Sequence, residues 1–183
     1  MKRRQRDAVL LSVIENLGAE GSWCGETHIQ KATYFVQELL KVPLEFDFIL
    51  YKHGPFSFDL SDEITAMRAD YLLGLESRPY PYGPSIVPGE SSEMIKEQFS
   101  KTLEKYKPAA KFVADKFGDK GVAELERIST ALYVTLTGGV GGSVESRAQR
   151  IHELKPHVDI DKAREAVKIV DEIIKEAREV QVT

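Results

Sequence analysis

Between Arg6 and Leu17 apolar residues return at helical spacing. Val9, Leu10, Val13, Ile14 and Leu17 form one stripe, and Gly18 follows where a C-cap belongs. This predicts a first helix, then a Gly- and Ser-rich connection over Gly18 to Gly25 that Trp23 anchors to the core. From about Thr27 to Lys41, Ile29, Ala32, Val36 and Leu39 line one side of a second helix, while Gln30, Lys31, Tyr34, Gln37 and Lys41 spread over the rest until Pro43 stops it. The period then drops to two. Phe46, Phe48 and Leu50 read as a strand with one buried face, Gly54-Pro55 turns the chain, and Ser57 stands as N-cap of a third helix. Leu60, Ile64, Met67 and Tyr71 mark that helix, which is expected to end near Gly74.

Arg78 to Gly89 holds Pro79, Pro81, Pro84 and Pro88 and is no helix; Ser85 to Val87 predicts a short strand opposite Phe46 to Leu50, a small hairpin or wing. From Ser91 the pattern is helical again. Met94, Ile95, Phe99, Leu103 and Tyr106 form a stripe, Pro108 interrupts it, and Phe112, Val113 and Phe117 resume it. Further helices are expected over Val122 to Leu136, closed by the Gly138 to Gly142 run, over Ser143 to Leu154 before Pro156, and over Asp159 to Val180. The fold class expected is mainly α with a small β-hairpin (α+β). Residues 1–90 form a winged-helix-like unit and 91–183 a helical extension, packed with it as one compact domain.

Length permits this, because 183 residues suffice for one full core. The longest apolar runs, such as Val9 to Ile14, are too short to span a bilayer. Lys2, Arg3, Arg4 and Arg6 imitate a signal-peptide start, but Glu15 and Asn16 break the segment behind them, so a cytoplasmic protein without membrane attachment is expected. The lone Cys24 excludes an internal disulfide. Charge argues against a polyanionic partner: 25 Lys and Arg face 29 Asp and Glu, and residues 1–91, which most resemble a DNA-binding fold, carry 9 basic and 13 acidic side chains.

Several residues invite chemical readings. On the second helix Gln30, Thr33 and Gln37 are types that hydrogen-bond base edges, and Lys41 with Lys31 could meet phosphate; the competing reading is a solvated helix face, since Glu26 and Glu38 lie among them and no arginine does. Gly138 to Ser143 precedes a helix and could cradle an anion, yet it lacks the Gly-Lys-Ser/Thr ending of a nucleotide loop. Cys24 as a nucleophile with His28 or His53 competes with a buried structural cysteine. Pro156 between His152 and His157 removes the helical pairing of a metal site. No catalytic residue, cofactor or metal is therefore expected. The His53-Gly54-Pro55 turn is either structural or, with Tyr34, Tyr51 and Tyr80, part of a binding patch.

Gln30-Lys31-Ala32-Thr33-Tyr34-Phe35, followed by Phe46-x-Phe48-x-x-Tyr51-x-His53-Gly54-Pro55-Phe56-Ser57-x-x-Leu60, resembles the Panacea (SocA-like) antitoxin domains and their prokaryotic relatives. His152-Glu153-Leu154-Lys155-Pro156 before the last helix is similar too. Lys52 and Phe58 stand where the family usually has tryptophan or aliphatic residues, and the proline-rich 79–84 stretch departs from its pattern. The resemblance implies a non-enzymatic, mainly helical protein that binds a partner protein, a toxin or a protease. Its matching positions Lys31, Tyr34, Tyr51, His53, Gly54 and Pro55 are the partner-binding candidates, with a role in the fold as the alternative. A winged-helix transcription regulator is the rival reading, and the long late helices also suit a homodimer.

Overall fold

The first apolar stripe becomes the interior of α1 (Arg3–Ala19), which is buried on most sides from Asp7 to Leu17. The computed structural model describes residues 1–80, 83–138 and 142–181. After α1 come α2 (Glu26–Glu38), β1 (Ile49–Tyr51), β2 (Gly54–Phe56), α3 (Phe58–Ala69), β3 (Leu73–Glu76) and β4 (Ser85–Pro88). The second half is helical throughout: α4 (Ser92–Gln98), α5 (Ser100–Phe117), α6 (Val122–Thr137), α7 (Val144–Leu154) and α8 (Ile160–Gln181). The chain is thus mainly α with small antiparallel β elements. No helix among the described residues is long and apolar enough to cross a membrane.

One apolar cluster runs from Ala8 to Ala177 and joins the two halves. Its centre is the packing of α1 on α5, to which α2 adds a stacked pair, Phe35 on Phe117, with ring centroids 3.9 Å apart. The end of the chain closes over α6: α7 and α8 pack on it and on each other, and Arg147 of α7 grips Asp171 of α8 through two parallel bonds of 2.7 Å.

Three expectations are corrected. The wing is paired differently. Ser85–Pro88 lies antiparallel to β3, with Leu75 opposite Ile86, whereas Ile49–Tyr51 pairs with Gly54–Phe56 in a separate hairpin. The strand at Leu73–Glu76 was hidden because the left-handed residue that ends α3 is Tyr71 (φ 58°), not a glycine; the Leu72 amide returns to the Met67 carbonyl, and Gly74 is free to join the ladder. Pro108 does not break its helix. It sits on the exposed side of α5, where the Glu104 carbonyl that loses its amide donor belongs to an exposed residue, while Ala109, Ala110 and Val113 hold the following turns against the core.

The alternation beginning at Phe46 is real but is only partly a strand. Burial alternates from Val42 through Leu44 and Phe46, with Phe48 and Leu50 half-buried, yet ladder hydrogen bonds start only at Ile49.

The Phe35–Phe117 stack ties α2 to α5 across the two halves of the chain. Phe117→Ala is expected to lower unfolding free energy by about 3–5 kcal/mol, measured by urea denaturation.

Candidate functional site

Helix α2 is built to hold the chain that follows it. Gln30 and Gln37 stand seven residues apart, on one stripe of the helix. The Gln37 amide donates to the Phe46 carbonyl and its oxygen accepts from the Phe46 amide, both at 2.9 Å. Gln30 does the same to Ser57, at 2.9 and 3.0 Å. Each glutamine thereby satisfies a backbone donor and acceptor as a neighbouring strand would. Between them Lys31 Nζ donates to the Pro55 carbonyl at 2.7 Å, and the Tyr34 ring meets Phe48 edge-on at 5.1 Å. The β1–β2 hairpin is therefore fixed at both ends and in the middle.

From the other side α6 and the α7–α8 connection complete the grip. Gly54 has φ 87°, and a Cβ there would lie 3.0 Å from Ser129 Oγ and 3.2 Å from Thr130 Oγ1, so only glycine fits. Lys155, placed just after α7, donates to the carbonyls of Tyr51 and Lys52 at 2.5 and 2.6 Å. Glu126 lies at the junction. Its carboxylate is within ion-pair distance of Lys155 (3.5 Å), His157 (3.3 Å) and His53 (3.7 Å), but hydrogen-bonds to none of them. Ser57 caps α3, accepting from the Leu60 amide at 3.3 Å, as its position in the sequence suggested.

These contacts decide where the candidate residues stand. Lys31 and Tyr34 are only 1% and 2% exposed, and Gly54 and Pro55 are buried, so these four have no free surface to offer a partner. Only Tyr51 and His53 of the six reach solvent. The nucleic-acid reading of α2 meets the same obstacle. Gln30 and Thr33 are fully buried and Gln37 is spent on Phe46, because α2 is enclosed by α1, α5, α6 and the hairpin and presents no face to a groove. Lys41 is exposed but lies beyond the helix, at φ 57°. Tyr80 is exposed on the connection between β3 and β4, a different hairpin from Tyr51.

The remaining chemical readings find no support in geometry. Cys24 is buried, its thiol donates to the Ile14 carbonyl at 3.6 Å, and burial pushes its pKa up, away from the thiolate a nucleophile needs. His152 Nδ1 is 2.7 Å from the Val158 carbonyl, and no cluster of three or more metal-ligating side chains occurs among the described residues. Residues 139–141 of the Gly138 to Ser143 run lie outside the described residues. Ser143 itself caps α7, accepting from the Ser146 amide.

What sequence reasoning missed is the outer face of the hairpin. Tyr51, Phe56 and Phe58 touch one another, with centroids 5.7, 5.7 and 5.1 Å apart, and Tyr51 and Phe58 are 53% and 56% exposed. Ile49, 48% exposed, lies on the same hairpin, two residues from Tyr51. The signal was present: Phe56 and Phe58 flank the N-cap Ser57, where a short hairpin cannot bury both. Glu126 carried no signal of its own, since nothing local distinguishes a charge that turns inward, and Lys155 stood out only as part of the His152 to Pro156 stretch. No protein-family model matches the chain, and no curated protein matches it.

Burial lowers the Lys31 pKa to about 8, helped by Lys155 and opposed by Glu126. The folded state therefore binds fewer protons than the unfolded one between about pH 8 and the ordinary lysine pKa near 10.4, and stability from this group rises with pH through that window. The stability difference between wild type and Lys31→Met is expected to grow in favour of wild type by about 2 kcal/mol from pH 7.5 to pH 9.5, read from urea titrations at both pH values; a pH-independent difference would show Lys31 to be protonated throughout. Gly54→Ala is expected to lower stability by about 2–3 kcal/mol, read as a drop in the same midpoint.

Proposed function

We propose that this chain is a non-enzymatic, antitoxin- or adaptor-like interaction protein, and that the outer face of the β1–β2 hairpin, continued into the start of α3, contacts its partner protein. The observation that carries this reading is the trio Tyr51, Phe56 and Phe58. These are three mutually touching rings, two of them more than half exposed, on a hairpin whose other face is fully engaged. Aromatic side chains held rigid before binding lose little entropy on association and are the commonest interface anchors. Ile49 widens the apolar area, and Lys52, His53 and Asp59 supply a polar rim.

The reading agrees with the resemblance to partner-binding antitoxin domains, and it moves the contact. The shared Lys31, Tyr34, Gly54 and Pro55 act in holding the hairpin, while the shared Tyr51, together with Phe56 and the divergent Phe58, lies on its outer face. The enclosed α2 and the acidic balance of residues 1–91 favour a protein over nucleic acid.

The test is capture of the tagged protein from its host with nuclease treatment, followed by titration of the purified partner. Tyr51→Ala and Phe58→Ser are each expected to weaken binding at least about tenfold with an unchanged thermal midpoint. Partner affinity that survives the double substitution would remove the hairpin from the interface, and a catch that disappears with nuclease would favour the regulator.

A further inference from the structure

A second site lies away from the aromatic face. Between the start of α2, one side of α3 and the β3–β4 hairpin is a cleft of about 380 Å³, within the range that holds small organic ligands. Ser61, Ile64, Thr65 and Arg68 of α3 all line it, and their spacing of three, four and seven residues puts them on a single helix face. Trp23, Leu75, Ile86 and Val122 complete apolar walls. Ile64 and Ile86 form a buried floor, whereas Leu75 and Val122 stay partly exposed at the rim, so the apolar lining is open to a ligand. The Trp23 indole is held in place by its Nε1 donating to the Gly83 carbonyl at 3.2 Å.

The two charged side chains of the cleft differ in state. Glu26 accepts from the Ser61 hydroxyl at 2.6 Å and is thereby tied to the first turn of α3. Arg68 lies two helical turns further on, about 10 Å along the axis, and among the described residues its guanidinium has no ion pair. Its nearest acidic neighbour in sequence, Asp70, is engaged instead by Arg3 and Arg4. A free guanidinium at one end of an apolar cleft, with the acid held at the other, favours a ligand that is apolar along its body and anionic at one tip.

We infer that this cleft binds a small monocarboxylic acid with an aliphatic or aromatic body, its carboxylate on Arg68 and its body along Trp23, Ile64 and Leu75. Neutral His28, buried at the cleft wall with its pKa lowered by burial, leaves Arg68 as the cation there. The site shares no residue with the proposed protein-binding face and stands or falls independently of it.

Trp23 is the only tryptophan in the chain, so all indole emission comes from the wall of this cleft, and the Arg68 variant below ties a response to it. The full-length protein is titrated with octanoate and 4-phenylbutyrate, and with their neutral counterparts 1-octanol and 4-phenylbutanol. Both acids are expected to change Trp23 emission saturably. Each alcohol should bind about tenfold more weakly than its acid, and Arg68→Met, an exposed position whose loss leaves the thermal midpoint unchanged, should weaken the acids by about the same factor while leaving the alcohols unaffected. No saturable response to either acid up to about 5 mM, equal affinity of acids and alcohols, or wild-type affinity in Arg68→Met would each overturn the assignment.

Discussion

Two glutamine side chains do for this protein what a third strand does in a sheet. Gln37 and Gln30 close double hydrogen bonds on Phe46 and Ser57, and everything between those residues is placed by that bracket. A two-stranded hairpin is at best marginally stable by itself in water. Here β1 and β2 contribute three residues each, too few to hold their own register. The register comes from α2 at one side and from Lys155, Ser129 and Thr130 at the other. α2 must therefore be central, and its centrality explains why residue types suited to base recognition are turned inward.

The burial of two lysines follows from the same arrangement. Lys31 and Lys155 each point an ammonium at hairpin carbonyls, and Glu126 sits close enough to balance Lys155 directly. An amide or hydroxyl would donate there with less desolvation, but a lysine stem also fills apolar space on the way. The arrangement divides the hairpin cleanly: polar groups and backbone inward, rings outward. Because the inner contacts are hydrogen bonds of fixed geometry, the exposed rings of Tyr51 and Phe58, with half-buried Phe56 between them, are carried on a stiff support and not on a loop.

Much of this was legible in the sequence, and the exceptions share a cause. Helix positions were readable wherever a stripe was strong, as in α1, α6 and α8, and the N-cap Ser57 was readable from residue type. The period of two from Phe46 correctly announced alternating burial. It did not reveal what the segment bonds to, since a glutamine reads alike whether it faces water, a base or a backbone. Tyr71 concealed the end of α3 because the left-handed position normally advertises itself with glycine. Pro108 suggested a break that packing on both sides overrides. In the candidate site, the motif that stands out most, His53-Gly54-Pro55 with Lys31 and Tyr34, is chiefly architecture. Of the outward rings, Tyr51 and Phe56 belonged to the motif and only Phe58 departed from it, so nothing in the pattern marked the three as one exposed face.

The bracketed hairpin has a consequence for how such a protein changes over generations. Ordinarily a strand's outward residues help set its own pairing, so altering them risks the fold. Here the grip is made to main-chain atoms and to Gly54, none of which depends on the identity of residues 49, 51, 52, 53 or 58. Substitution at those positions therefore leaves the main-chain grip in place, so the tip of the hairpin can change its surface without surrendering its register.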